Sequence, residues 1–218
     1  MSKIAKKFEK ICEKIKGSAN NRPIELIAVT KFFTEEVVSE AISLGILNFG
    51  ENRVQECENK FKNLLKTNTD IKLHLIGPLQ TNKAEKALGL FDAIHSLDRE
   101  KLAIHLKKLI IPSSRTKSFF VQVNIGMEKQ KTGVVPSQTK EFVNWCANDL
   151  NLNIVGLMCI PPIHQNSKNF FLEMKKLSEI CKLKKLSMGM STDYVEAINC
   201  GATHIRLGTA LFGERSKK

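Results

Sequence analysis

The sequence predicts an α/β fold, a single-domain (β/α)₈ TIM barrel with one extra helix at its N-terminus. Three observations predict it. Eight short runs of β-branched and apolar residues recur along the chain, helix-like segments lie between consecutive runs, and polar residues collect where the apolar runs stop. Strands that alternate with helices pair in parallel through right-handed crossovers, and eight such units fit a closed barrel. An open doubly wound sheet is the alternative, because strand count alone does not prove closure.

The first segment, MSKIAKKFEKICEKIKG (1–17), sets Ile4, Phe8, Ile11 and Ile15 at helical spacing with charges between them. That describes an amphipathic helix packed on the barrel, and it lacks the apolar core of a signal segment. The strand candidates follow as IELIAVT (24–30), ILNFG (46–50), KLHLIG (72–77), FDAIHSL (91–97), SFFVQVNI (118–125), NIVGLMCI (153–160), KKLSMG (184–189) and HIRLG (204–208). Segments such as TEEVVSEAISLG, ENRVQECENKFKNLLK and DREKLAIHLKKLI supply the helices between them. No low-complexity linker interrupts the series, so residues 1–218 read as one barrel domain. With 42% hydrophobic residues the chain can bury one large core. Its longest mostly apolar run, 154–163, is broken by Gly and two Pro residues and is too short to cross a bilayer.

The six cysteines at 12, 57, 146, 159, 181 and 200 form no C-x-x-C pair, which fits reduced thiols and a cytoplasmic location. The net charge of +12 raises nucleic acid as a partner. Yet 28 of the 34 basic residues are Lys, they are scattered along helix faces, and one Trp and one Tyr offer little for base stacking. A solvated basic surface is the expectation, with no nucleic-acid or membrane partner and a monomeric chain.

In such barrels chemistry belongs at the C-terminal ends of the strands. Polar residues stand there: Lys31 after the first run, Glu51 and Asn52 after the second, Gln80 after the third, Asn124 at the fifth, Ser191 after the seventh, and Arg206 just before Gly208 and Thr209 at the eighth. A free lysine titrates near ~10.4. Partial burial favours the neutral amine, the form that attacks an aldehyde to give a Schiff base. A lysine that snorkels to water or pairs with Glu35 is the plainer reading of Lys31. The loops after the seventh and eighth strands, with Ser191, Gly208 and Thr209, stand where this fold commonly seats phosphate, although Ser191, Thr192 or Asp193 is also suited to capping a helix. Alternation along HIRLG turns Arg206 away from Ile205 and Leu207, and a buried guanidinium needs an acceptor, either an ion-pair partner or a heteroaromatic ring nitrogen. A Schiff-base lysine, a phosphate seat and a cation for a ring nitrogen jointly favour pyridoxal 5′-phosphate over a generic sugar phosphate.

The motifs AVTK, FGENRVQE, HLIGPLQTNK, HSLD, VQVNIGMEKQKTG, GLMCIPP, LSMGMSTD and IRLGTALFGER, in that order from Leu26 to Arg215, resemble those of the YggS/PROSC family of pyridoxal phosphate homeostasis proteins. The resemblance implies a barrel like the N-terminal domain of alanine racemase, with the cofactor covalently on Lys31. It implies Ser191, Gly208 and Thr209 around the phosphate, Arg206 toward the pyridine nitrogen and Asn52 near the ring. His74 and Asn82 also match family positions, without a chemical role attached. The segments IHQNSKNF, CKLKKLSMGM and TDYVEAI depart from the family pattern, beside the implied site rather than in it.

The function expected is a carrier that holds the cofactor as a Schiff base, takes part in intracellular vitamin B6 homeostasis and supplies apo-enzymes that need it. A weak amino-acid racemase is the alternative. Arginine does not readily give up a proton, so the ring nitrogen facing it stays unprotonated and the ring is a poorer electron sink. A two-base racemase also needs a second proton carrier opposite the lysine, and Tyr194 is the only tyrosine. Lys131, in a loop expected to be mobile, reads first as a solvated loop lysine; the alternative is a second amine that captures the cofactor on release.

Overall fold

The eight runs become eight strands. A computed structural model describes residues 1–214 and places β1 at Glu25–Val29, β2 at Asn48–Glu51, β3 at Lys72–Leu75, β4 at Ala93–Leu97, β5 at Ser118–Val123, β6 at Ile154–Cys159, β7 at Lys185–Ser187 and β8 at His204–Leu207. Neighbours in sequence pair in parallel, and β8 returns to β1 with Glu25, Leu26, Ile27 and Ala28 opposite His204, Ile205, Arg206 and Leu207. That last pairing closes the barrel and excludes the open sheet. Arg215, the last residue of the motif IRLGTALFGER, lies outside the described residues.

The helices are α1 (Lys3–Ser18), α2 (Glu35–Ser43), α3 (Val54–Phe61), α4 (Leu64–Thr67), α5 (Ala84–Leu90), α6 (Glu100–Leu109), α7 (Pro136–Asn144), α8 (Ser167–Ile180), α9 (Tyr194–Asn199) and α10 (Thr209–Phe212). A 3₁₀ turn at Thr81–Lys83 precedes α5, and a π turn at Trp145–Asp149 continues α7. Ser2 starts α1 by accepting the Ala5 N–H on its hydroxyl at 3.1 Å, which satisfies one of the donors that a helix leaves unpaired. Ile4 and Ile11 of α1 are buried in the main core and Phe8 and Ile15 pack against it, as their spacing predicts. α1 runs alongside α9 and α10. Among the described residues no helix is long and apolar enough to cross a membrane, and all six cysteines are free thiols.

The main core lies between the sheet and the helices, and includes Phe49, Phe61, Phe91, Phe119 and Phe171. Ala93, Phe120 and Met158 form a separate, smaller apolar cluster. Phe119 and Phe120 are neighbours on β5 and join different clusters because successive side chains leave a strand on opposite faces.

Candidate functional site

Lys31 follows Thr30 directly beyond β1, and the backbone around it is held from several sides. The Thr30 N–H donates to Gly50 O at 3.1 Å and its hydroxyl to Glu51 Oε1 at 2.7 Å. The Lys60 ammonium, from α3, donates to Thr30 O at 2.7 Å and to Glu51 Oε1 at 2.8 Å. One residue beyond Lys31, the Phe32 N–H donates to Glu56 Oε1 at 2.7 Å, with Phe32 in the left-handed region at φ 69°. A bulky residue rarely adopts that conformation without support from its surroundings. Glu51 ends β2, and its carboxylate turns toward α3 instead of the barrel mouth. Burial raises the pKa of its carboxyl, against the pull of Lys60 and Thr30.

Asn52, one residue past β2, lines a cavity of about 240 Å³ together with Gly77, Asn124, Lys131 and Ile160. Gly77 is required there, because a Cβ on it would stand 2.4 Å from Asn52 O. Asn124 organises the loop after β5: its side-chain amide donates to Glu128 O at 2.9 Å and to Lys131 O at 3.2 Å, and its Oδ1 accepts the Glu128 N–H at 3.2 Å. Lys131 is half-buried, paired with Glu128 and donating to Pro161 O at 3.2 Å. Its side chain is thus tethered within the loop after β5. Gln80 and Asn82 are exposed at the turn before α5.

On the other side of Lys31, the loops after β7 and β8 meet. Ser191 Oγ accepts the Ala210 N–H at 3.1 Å, which brings it beside Gly208 and Thr209. A hydroxyl accepts and donates at once, so this contact leaves the Ser191 proton available to an anion. Gly208 has φ −106° and a Cβ there would meet only Val29, at 3.7 Å, so neither conformation nor packing demands glycine. The missing side chain leaves room for a ligand to approach the backbone. Asp193 Oδ1 accepts the Met190 N–H at 2.6 Å, so Asp193 braces the turn ahead of α9.

Arg206 is buried inside the barrel. Nη1 donates to Ser187 Oγ at 2.7 Å and Nη2 to Cys159 O at 2.9 Å, which engages two of the five guanidinium donors. The acceptor expected was an ion-pair partner or a ring nitrogen; a serine hydroxyl and a backbone carbonyl are found. Ser187 in turn contacts His95 Nδ1 at 2.9 Å, and His95 Nε2 contacts His74 Nδ1 at 3.0 Å. β4 and β7 are not neighbours in the sheet, so the His95–Ser187 bond crosses the barrel interior.

Lys31, Asn52 and Gly208 thus stand at the ends of three adjacent strands, β1, β2 and β8, with Arg206 on β8 below Gly208. Residues 4–216 match the family model for the alanine racemase N-terminal domain. The chain is 37% identical over 224 residues to the pyridoxal phosphate homeostasis protein of Aquifex aeolicus, covering 99% of this chain and 96% of that one. This chain belongs to the pyridoxal phosphate homeostasis protein family. Among solved structures, PipY of Synechococcus elongatus, of the same fold, is 33% identical without pyridoxal phosphate (TM-score 0.85) and 32% identical with it bound (TM-score 0.83), each covering 97% of this chain and 100% of PipY. Alanine racemase of Bartonella henselae, solved with covalently bound pyridoxal phosphate, shares the fold at TM-score 0.75 and 13% identity, covering 97% of this chain and 58% of that one.

For this member of the pyridoxal phosphate homeostasis protein family, the sequence reading missed Lys60, Glu56, Ser187 and His95. Lys60 falls on a helix among many solvated lysines. Ser187 and His95 sit inside strands, where the pattern reports burial and not hydrogen bonding.

Proposed function

We propose that this chain holds pyridoxal 5′-phosphate covalently on Lys31 and takes part in intracellular homeostasis of that cofactor, passing it to apo-enzymes that need it. The reading rests on one observation: Lys31, the Ser191–Gly208–Thr209 group and the buried Arg206 stand together on adjacent ends of a closed barrel. It is supported by PipY, solved with pyridoxal phosphate bound. The donor set fits the group. Ser191, Thr209 and the backbone at Gly208 suit a phosphate, the remaining N–H donors of Arg206 suit a pyridine nitrogen, and the Asn52 amide, one residue past β2, would suit a polar group on the ring.

When bound, the cofactor supplies an aldehyde that is readily captured and released. The Lys31 amine condenses with it, forming one C=N bond and releasing one water, and hydrolysis reverses the step. Thr30, Lys60 and Glu56 hold the Lys31 backbone while this happens. Lys131, on the wall that it shares with Asn52, stands as a second amine for release, once its pairing with Glu128 opens. Tyr194 is 6% exposed and packed in the main core, which supports holding and release over racemisation by a second acid/base at this residue.

The test is borohydride reduction of the protein loaded with pyridoxal phosphate, followed by peptide mass mapping, with Lys31→Ala alongside. A yellow protein with its adduct on Lys31, and a colourless variant of unchanged circular dichroism, is the expected result. An adduct mapping elsewhere, or none at all, overturns the reading.

A further inference from the structure

Arg206 heads a hydrogen-bond chain that runs through the barrel to its opposite end. Arginine has no acceptor, so Nη1 donates to Ser187 Oγ, 2.7 Å away. A serine oxygen can accept twice, so the direction beyond Ser187 is set from the far end. Asn48 Oδ1 can only accept, which makes His74 Nε2 a donor and its Nδ1 an acceptor, and Ser187 gives its own proton to His95 Nδ1 at 2.9 Å. A neutral imidazole that accepts on one nitrogen donates from the other. His95 Nε2 accordingly donates to His74 Nδ1 at 3.0 Å, and His74 Nε2 to Asn48 Oδ1 at 3.1 Å. Glu25 Oε1 stands 3.4 Å from the same His74 nitrogen.

We infer that Ser187, His95 and His74 are positioning residues for Arg206, forming a one-way chain of donation from its guanidinium to Asn48 and the Glu25 carboxylate. The inference rests on the functional reading above in one respect, that Arg206 faces the cofactor ring.

Three observations support the chain. His95 is fully buried and stacks on Phe120, with ring centroids 4.1 Å apart and planes 15° from parallel, so its ring is held in orientation. Burial keeps the imidazoles neutral, as the chain requires: His74 is pushed down to about 4 and His95 well below its ordinary value. The chain also reaches a cavity at the N-terminal end of the strands, of about 550 Å³, lined by Glu25, Asn48, Lys185, Thr203, His204 and Phe8 of α1 among others. The groups facing Glu25 there are His74 on β3, His204 on β8 with Nε2 at 3.5 Å, and the Lys185 ammonium of β7. Hydrogen bonds in series polarise one another, so the arrangement at Arg206 and the protons on both rings are linked.

The experiment is long-range ¹H–¹⁵N NMR of the histidine rings in the unliganded full chain at pH 7, followed by titration with pyridoxal phosphate. His95 and His74 are both expected as neutral Nε2–H tautomers. An Nδ1–H tautomer or an imidazolium at either residue overturns the chain. Ser187→Ala is expected to weaken cofactor binding about three- to tenfold and to shift the His95 ring signals, and Ser187→Thr, which keeps the hydroxyl, to restore both. Unchanged affinity and unchanged ring signals in Ser187→Ala overturn the positioning role. If the wild-type chain takes up no cofactor, the functional reading fails instead, and the tautomers alone decide the chain.

Discussion

The sheet separates two interiors of opposite character. Outside it, against the helices, Phe49, Phe61, Phe91, Phe119 and Phe171 are buried in the main core, where stabilisation scales with area removed from water and direction matters little. Inside it, His74, His95, Ser187 and Arg206 are buried among a handful of apolar side chains, and each is held by directed bonds. An unmade bond there leaves a desolvated group unpaired, at a cost of about 1–3 kcal/mol. The outer region gives the barrel its stability, and the inner one gives it a fixed geometry at considerable risk.

The sharpest way to separate the two is to damage one at a time. Phe49→Ala removes a fully buried ring that packs on Phe61 at 5.5 Å, and is expected to cost about 3–5 kcal/mol in urea unfolding. The His95 and His74 ring signals of the folded variant should stay where they are. If they move, the two regions are not independent.

Acid tests the inner region. Burial pushes His74 down to about 4 and His204 to about 3, whereas an unfolded chain titrates its imidazoles near ~6.5. The unfolded chain therefore binds protons first, and the contribution of these residues is full above about pH 6.5 and falls as pH drops toward the folded values. Between pH 6.5 and 5 each is expected to remove about 2 kcal/mol, read as a falling urea midpoint. His74→Gln should flatten that slope, and an unchanged slope would mean that His74 is already charged or hydrated at pH 7.

The rim belongs to neither region. Glu56→Gln weakens the bond that holds Phe32 at positive φ, with an expected loss of about 0.5–1.5 kcal/mol. The larger readout is hydrogen exchange at the Phe32 amide, which should accelerate while β1 stays protected. Protection retained at Phe32 would show that the conformation does not depend on Glu56.

The eight strands were legible in the sequence because short apolar or alternating runs, such as IELIAVT and HIRLG, recur between helix-like segments. Closure was not, since nothing local in residues 25–28 announces a partner at 204–207. The placement of Lys31, Asn52, Ser191 and Gly208 at strand ends was legible from where the apolar runs stop. The inward polar chain was not, because Ser187 in KKLSMG and His95 in FDAIHSL have the same strand context as their neighbours. Only three-dimensional proximity across the barrel distinguishes them. Glu51 shows the limit from the other side: its place at the end of a strand is legible, but not that its side chain turns outward to Lys60.

The pairing of β1 with β8 also dictates when the seat can exist. Lys31 leaves the ribosome long before Gly208, roughly 10–35 s earlier at ordinary rates of synthesis. Until β8 arrives, β1 lacks one of its two neighbours and Ser191 has no Ala210 to meet. Contacts between such distant parts of a chain form late and slowly. A growing chain therefore carries its amine with no pocket around it, and a chain that stops short of β8 never acquires one.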